Sequence, residues 1–137
     1  MSDECSTVSA RSRFVILEHD HPFLHWDLLL EHGPVLHAWR ILQPVTCEQW
    51  LTAERLEDHR LLYLDYEGPV SNDRGHVRRL TGGWYTKGAA TDEAQQWFQL
   101  FDCSLATQAV LRTDVDQHPQ WYFTLADSTS RNSPESL

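Results

Sequence analysis

Cysteine and positive charge are both scarce in this 137-residue sequence. The three cysteines, Cys5, Cys47 and Cys103, are odd in number and far apart. That excludes a disulfide framework and a cysteine zinc site, and leaves free thiols. The 11 Lys and Arg are outnumbered by 20 Asp and Glu, a formal net charge of −9, which argues against bulk electrostatic capture of nucleic acid. Long apolar runs are missing too, since no stretch approaches the ~18–20 residues of a membrane span. The opening MSDECSTVSARS is polar and lacks the apolar segment of a secretory signal. A cytoplasmic protein with no membrane partner is the expectation.

What is present is an ordinary globular composition, 41% hydrophobic and 23% charged, in a chain long enough to bury one core. Its 6 tryptophans need core or groove positions. Residues 1–12 and 128–137 are rich in Ser, Pro, Asn and charge and read as disordered tails. They leave one domain over 13–127, with no internal repeat. One local cationic stretch stands out: Arg74, Arg78, Arg79 and Lys87 occur between residues 74 and 88 with no acid among them. Such runs are most often a solvated strand face.

The pattern is that of short strands. RFVILEH, FLHWDLLLE, VLHAWRIL, RLLYLDYEG, HVRRLTGGWYT, QWFQLFD, LATQAVLR and QWYFTLA are aromatic or β-branched runs punctuated by Gly, Pro or Asp. In FLHWDLLLE, Leu24, Trp26, Leu28 and Leu30 fall on one face and Phe23, His25, Asp27, Leu29 and Glu31 on the other. PVTCEQWLTAERL suggests a helix, with Thr46 as cap and Gln49 at capping-box spacing, and DEAQQW suggests one helical turn. The fold class is therefore mostly β, an antiparallel barrel or sandwich with one or two short helices.

HDHPFLHWDLLLE places unusual polar weight in an apolar strand. His25 and Asp27, two apart, project from one face about 7 Å apart, and His19 can approach from the neighbouring strand or turn. Two imidazoles and a carboxylate suit a borderline divalent ion such as Mn, Zn or Fe, with positions open for substrate. A lone His-x-Asp is common in strands, and His21, His32, His37, His76 and His118 read as surface or hydrogen-bonded histidines. A non-haem iron oxygenase, with His76 or His118 as distal ligand, uses a similar set. Its jelly roll usually exceeds this length, and no arginine suited to a carboxylate cosubstrate follows closely after His118.

RFVILEHDHPFLHWDLLLE, then LHAW, then LEDHRLLYLDYEG together resemble the 3′-phosphoesterase domain of the DNA ligase D family. The motifs are His19-Asp20, His25-Trp26-Asp27, Glu57-Asp58-His59, Tyr63 and Tyr66-Glu67-Gly68, and the likeness runs over roughly residues 13–126. It implies a compact β barrel with a manganese ion in a groove, zinc or cobalt being alternatives. It also implies His19, His25 and Asp27 as metal ligands, His59 and Tyr63 at the phosphate, and Glu57 as supporting acid. The implied activity is 3′-end processing in DNA repair, removing a terminal ribonucleoside and then the 3′-phosphate. The implied partner is a nucleic-acid 3′ end, with any ligase or polymerase supplied in trans.

Three cations of the family pattern are replaced here by Leu29, Gln43 and Leu51, and the loop after its FEG-like motif is shortened to PVSNDRG. An isobutyl group cannot replace a forked guanidinium on phosphate. Arg40 or Arg78, and also Arg74 or Arg79, are the candidate substitutes for phosphate binding. A non-catalytic metal- or nucleic-acid-binding adaptor is the alternative reading.

Overall fold

The computed structural model describes residues 11–88, 95–114 and 116–125. The tails expected at 1–12 and 128–137 fall outside these residues except for Arg11 and Ser12, and Ser12 already begins the first strand. Among the described residues nine strands follow in order: β1 Ser12–His19, β2 His25–His32, β3 Val35–Ile41, β4 Trp50–Arg60, β5 Gly68–Pro69, β6 His76–Lys87, β7 Gln95–Phe101, β8 Ala106–Thr113 and β9 Pro119–Leu125. They hydrogen-bond in the order β1-β2-β3-β4-β9-β8-β7-β6-β5, and a further β1–β6 pairing closes eight of them into an antiparallel barrel. The expected barrel is therefore the fold, and closure leaves its eight strands without a free edge.

Alternation divides the side chains between two clusters. Phe14, Ile16, Trp26, Leu28, Leu30, Trp39, Ile41, Leu51, Ala53, Tyr85, Phe98, Leu100, Trp121 and Phe123 come from almost every strand and fill the barrel. The void left among the interior rings is only about 10 Å³, no more than a water molecule requires. Any binding site must therefore lie outside the barrel. Residues of the other parity, Val15, Leu17, Leu29, Leu36 and Ala38, form a second cluster with Leu64 and Val77. Leu64 belongs to a 3-10 helix, Leu61–Leu64, whose following segment packs Tyr66 and Val70 onto the same patch. This flap is tied down where Asp65 accepts two hydrogen bonds from Arg13, at 3.0 and 2.6 Å. Glu67 also accepts the Arg79 backbone N–H at 2.7 Å. β2 is thus covered on both faces, which accounts for its continuous run of buried residues.

Three sequence expectations fail. The helix over PVTCEQWLTAERL is absent: residues from Trp50 onward form β4, with Leu51 and Ala53 buried and Thr52 and Glu54 exposed in strict alternation. Gln49 bonds the Thr46 hydroxyl instead of a helix N-terminus, so side-chain spacing that mimics a capping box was overridden by burial in the barrel. RLLYLDYEG, read as a strand, contributes the 3-10 turn instead. In DEAQQW, residues from Gln95 onward belong to β7, while 92–94 lie outside the described residues. Leu24, expected in the core, precedes β2 and is half exposed. Among the described residues no helix is long and apolar enough to cross a membrane.

Barrel closure depends on β6, which pairs with β5 and β1 at its start and with β1 and β7 at its end. A Cβ on Gly83 would collide with the Phe101 carbonyl oxygen across the β6–β7 seam. Gly83→Ala should therefore destabilise the fold by about 1–3 kcal/mol, the usual cost of forcing atoms into a packed site. Chemical denaturation measures this directly, and an unchanged midpoint would contradict the tight seam.

Candidate metal centre and cleft

His19 is the last residue of β1 and lies directly opposite His25, the first of β2, while Leu17 opposes Asp27. The three polar groups are thus a cross-strand pair plus one residue two further along the same face. Their candidate ligand atoms all lie within 4.8 Å of one another. His25 and Asp27 are almost fully buried, at 1% and 4% exposure, because the barrel closes one side of β2 and the flap approaches the other.

The hydrogen bonds fix the direction in which each imidazole presents a lone pair. His25 Nδ1 donates to the Phe23 carbonyl at 2.9 Å, leaving Nε2 3.1 Å from Asp27 Oδ1. His19 Nε2 donates to the Arg74 carbonyl at 2.9 Å, leaving Nδ1 3.3 Å from Asp27 Oδ2. Backbone carbonyls on the remote nitrogens are the usual support of metal-binding histidines. Asp27 Oδ1 is buried without a hydrogen-bond partner, although a ring nitrogen stands 3.1 Å away. Two neutral imidazole lone pairs and a carboxylate repel one another unless a proton or a cation stands between them. Burial pushes the Asp27 carboxyl up, but the hydrogen bonds and charges of His19 and His25 more than offset it, and it titrates at about 2. His19 is raised above its ordinary value, chiefly by its bond to Asp27, with burial opposing. The donor set fits a divalent cation.

This centre forms one end of a cleft of about 680 Å³. Arg40, Glu57, Asp58, His59, Arg60, Tyr63 and Arg74 are among its other lining residues. Arg40 lies opposite Asp27 on β3, its Nη1 3.8 Å from Glu54 Oε1 and its Nε buried without a partner among the described residues. His59 reaches the cleft because of a register slip: Leu56 opposes Ala38 but His59 opposes Leu36, which faces the same way. Such bulges re-aim side chains beside functional sites. His59 Nδ1 donates to the Glu57 carbonyl at 2.9 Å, so Glu57 supports the ring through its backbone. Tyr63 arrives on the 3-10 turn, not on a continuing strand, with its ring centroid 6.0 Å from that of His59.

His19, His25, Asp27, Glu57, His59, Tyr63 and Arg40 are therefore brought to one place. Arg78 is not: it pairs with Glu18 across the β1–β6 ladder and lies outside the cleft. His76 and His118 also stand apart from the metal cluster. The three positions of missing cations differ in kind. Leu29 is fully buried beneath the flap, Leu51 lies inside the barrel, and the Gln43 side chain accepts the Thr52 N–H at 3.2 Å. Arg60 and the backbone roles of Phe23 and Arg74 were not visible in the sequence. The glycine of PVSNDRG was the one signal: Gly75 adopts φ +77° and a Cβ there would collide with Asp20 and His21. Only glycine lets the loop come close enough for the Arg74 carbonyl to meet His19.

A family model described as the DNA Ligase D 3′-phosphoesterase domain matches residues 17–109, more than half of the chain. No curated protein matches.

Metal binding must displace the proton that His19 holds more tightly than an ordinary imidazole, whereas Asp27 is ionised at any pH well above 2. Mn²⁺ affinity should therefore rise with pH through and above the ordinary histidine range, by about tenfold per pH unit for each proton displaced. Calorimetry at several pH values tests this, and pH-independent affinity would refute competition at His19. In the absence of metal, Asp27 stabilises the fold above the ordinary carboxylate range, and that contribution is lost as pH falls towards 2.

Proposed function

The chain belongs to the DNA ligase D 3′-phosphoesterase domain family, and from that premise we propose that it is a divalent-metal-dependent phosphoesterase that trims nucleic-acid 3′ ends. Its substrates are a 3′-terminal ribonucleoside and a 3′-phosphate in DNA repair. The observation that carries this reading is the orphaned Asp27 Oδ1 between two histidines whose other nitrogens are already engaged. His19, His25 and Asp27 would hold the ion, manganese first and zinc or cobalt as alternatives. When bound, the ion neutralises phosphate charge and acts as a Lewis acid.

The chain's own residues supply the rest. Three arginines line the cleft (Arg40, Arg60 and Arg74) against three acids (Asp27, Glu57 and Asp58). The protein alone is balanced there, and a phosphate is favoured only once a divalent charge is added. Arg40, with its partnerless Nε, holds a phosphate oxygen. His59 is fixed at Nδ1 and exchanges a proton with the leaving oxygen at Nε2. The Tyr63 hydroxyl donates to a non-bridging oxygen. The product, a 3′-hydroxyl, is what a ligase or polymerase acting in trans requires. The alternative is an adaptor that holds ends without cutting them; Leu29 and Leu51, packed under the flap and inside the barrel, are not among the residues lining the cleft and leave Arg40, Arg60 and Arg74 as its cations.

A primer-template ending in one ribonucleotide or a 3′-phosphate, incubated with protein and Mn²⁺, should lose that group. His59→Ala should slow the reaction about 10²–10⁴-fold, the usual contribution of a positioned acid–base group. Ends bound but left intact by the native protein would establish the adaptor reading instead. With about three phosphate contacts, the slope of log K against log salt for single strands should be near −2. A much steeper slope would show contacts spread far beyond the cleft.

A further inference from the structure

Phe23 is half exposed at the lip of the metal centre, although its backbone carbonyl holds His25. Its ring stands edge-on to His25, with centroids 5.6 Å apart and planes at 67°. The Arg40 guanidinium lies 5.6 Å from the ring centroid. Leu24 and Leu42 are also exposed, at 52% and 39%. Since Trp26 pairs with Ile41, these two residues flank the same end of the β2–β3 ladder as Phe23. Of these three exposed apolar side chains, Phe23 is the one in contact with cleft residues, His25 and Arg40.

We propose that Phe23 is a stacking platform for the base of the 3′-terminal nucleotide, a positioning role that rests on the phosphoesterase reading of the same cleft. A nucleotide joins its phosphate to its base across one sugar. Arg40 spans the same interval, lying opposite Asp27 on one side and beside the Phe23 ring on the other. With the phosphate held at the metal centre and Arg40, the base falls on the aromatic lip. An aromatic face accepts any base, so the platform confers grip without sequence preference. It also suits a chain of net charge −9, which cannot rely on long-range attraction to the phosphate backbone.

Steady-state kinetics with Mn²⁺ on oligonucleotide 3′-phosphates test this, comparing a normal terminal nucleotide with an abasic tetrahydrofuran residue. The native protein should show about tenfold lower KM for the substrate carrying a base, in line with the worth of one stacked base. Phe23→Ala should lose that preference through KM, and Phe23→Trp should retain it, because the carbonyl that holds His25 survives both changes. Equal KM values for the two substrates in the native protein, or an undiminished preference in Phe23→Ala, would overturn the platform. Binding to an oligonucleotide with 3′-terminal 2-aminopurine separates this outcome from failure of the phosphoesterase reading. A native protein that cleaves neither substrate, yet quenches the fluorescence in a Phe23-dependent way, refutes the activity and keeps the platform. Quenching that is equal in Phe23→Ala refutes the platform whether or not the protein cleaves.

Discussion

His25 Nε2 faces Asp27 Oδ1 at 3.1 Å in a place that water hardly reaches, and the organisation of this face of the protein follows from that contact. A carboxylate with an unpartnered buried oxygen is costly unless charge or a hydrogen bond compensates it. Here the compensation comes from His19 and His25, within a site walled from below by Trp26 and its barrel neighbours and from above by the flap that carries Leu64, Tyr66 and Val70. Both layers exclude solvent and strengthen every electrostatic interaction between them. Burial alone would push the Asp27 carboxyl up; His19 and His25 hold it down at about 2, and the resulting buried carboxylate between two imidazoles is the donor set that the proposed divalent cation would use.

The flap also determines the composition of the cleft. Its Arg13–Asp65 and Glu67–Arg79 contacts fasten it to β1 and β6, while Gly75 draws its end towards the β1–β2 connection. That arrangement puts a backbone carbonyl on His19 and a tyrosine beside His59. It also explains why Leu29 is apolar: the position lies under the flap, in the second cluster, so a leucine completes packing there. The positive charge of the cleft comes from elsewhere, from β3, from the end of β4 and from the loop before β6. Exposed ion pairs such as Arg13–Asp65 contribute little individually, and the apolar patch beneath the flap supplies most of its attachment.

Much of this was legible in the chain. Period-two alternation placed Trp26, Leu28 and Leu30 on one face and His25 and Asp27 on the other, because strand geometry leaves no other choice once a strand forms. The likeness to a known family gathered His59, Tyr63 and Glu57 to the same cleft. The failures have physical causes. Thr46 and Gln49 imitate a helix start, and only the tertiary burial of Leu51 and Ala53 decides for a strand. Strict alternation cannot foresee the slip between Leu56 and His59, since a bulge is a property of two strands in register. Arg78 looked available in a run of cations, but its cross-strand partner Glu18 is distant in sequence. The hydrogen bonds from the histidines to the carbonyls of Phe23 and Arg74 involve backbone atoms, so no residue pattern encodes them.

The proposed phosphoesterase requires one divalent ion between His19, His25 and Asp27. Anomalous diffraction from crystals soaked in Mn²⁺ tests it most directly. A single strong peak bonded to His19 Nδ1, His25 Nε2 and an Asp27 carboxylate oxygen is the predicted result. A peak confined to the cluster of Asp114, Asp116 and His118, or no peak at the triad at saturating Mn²⁺, would contradict it.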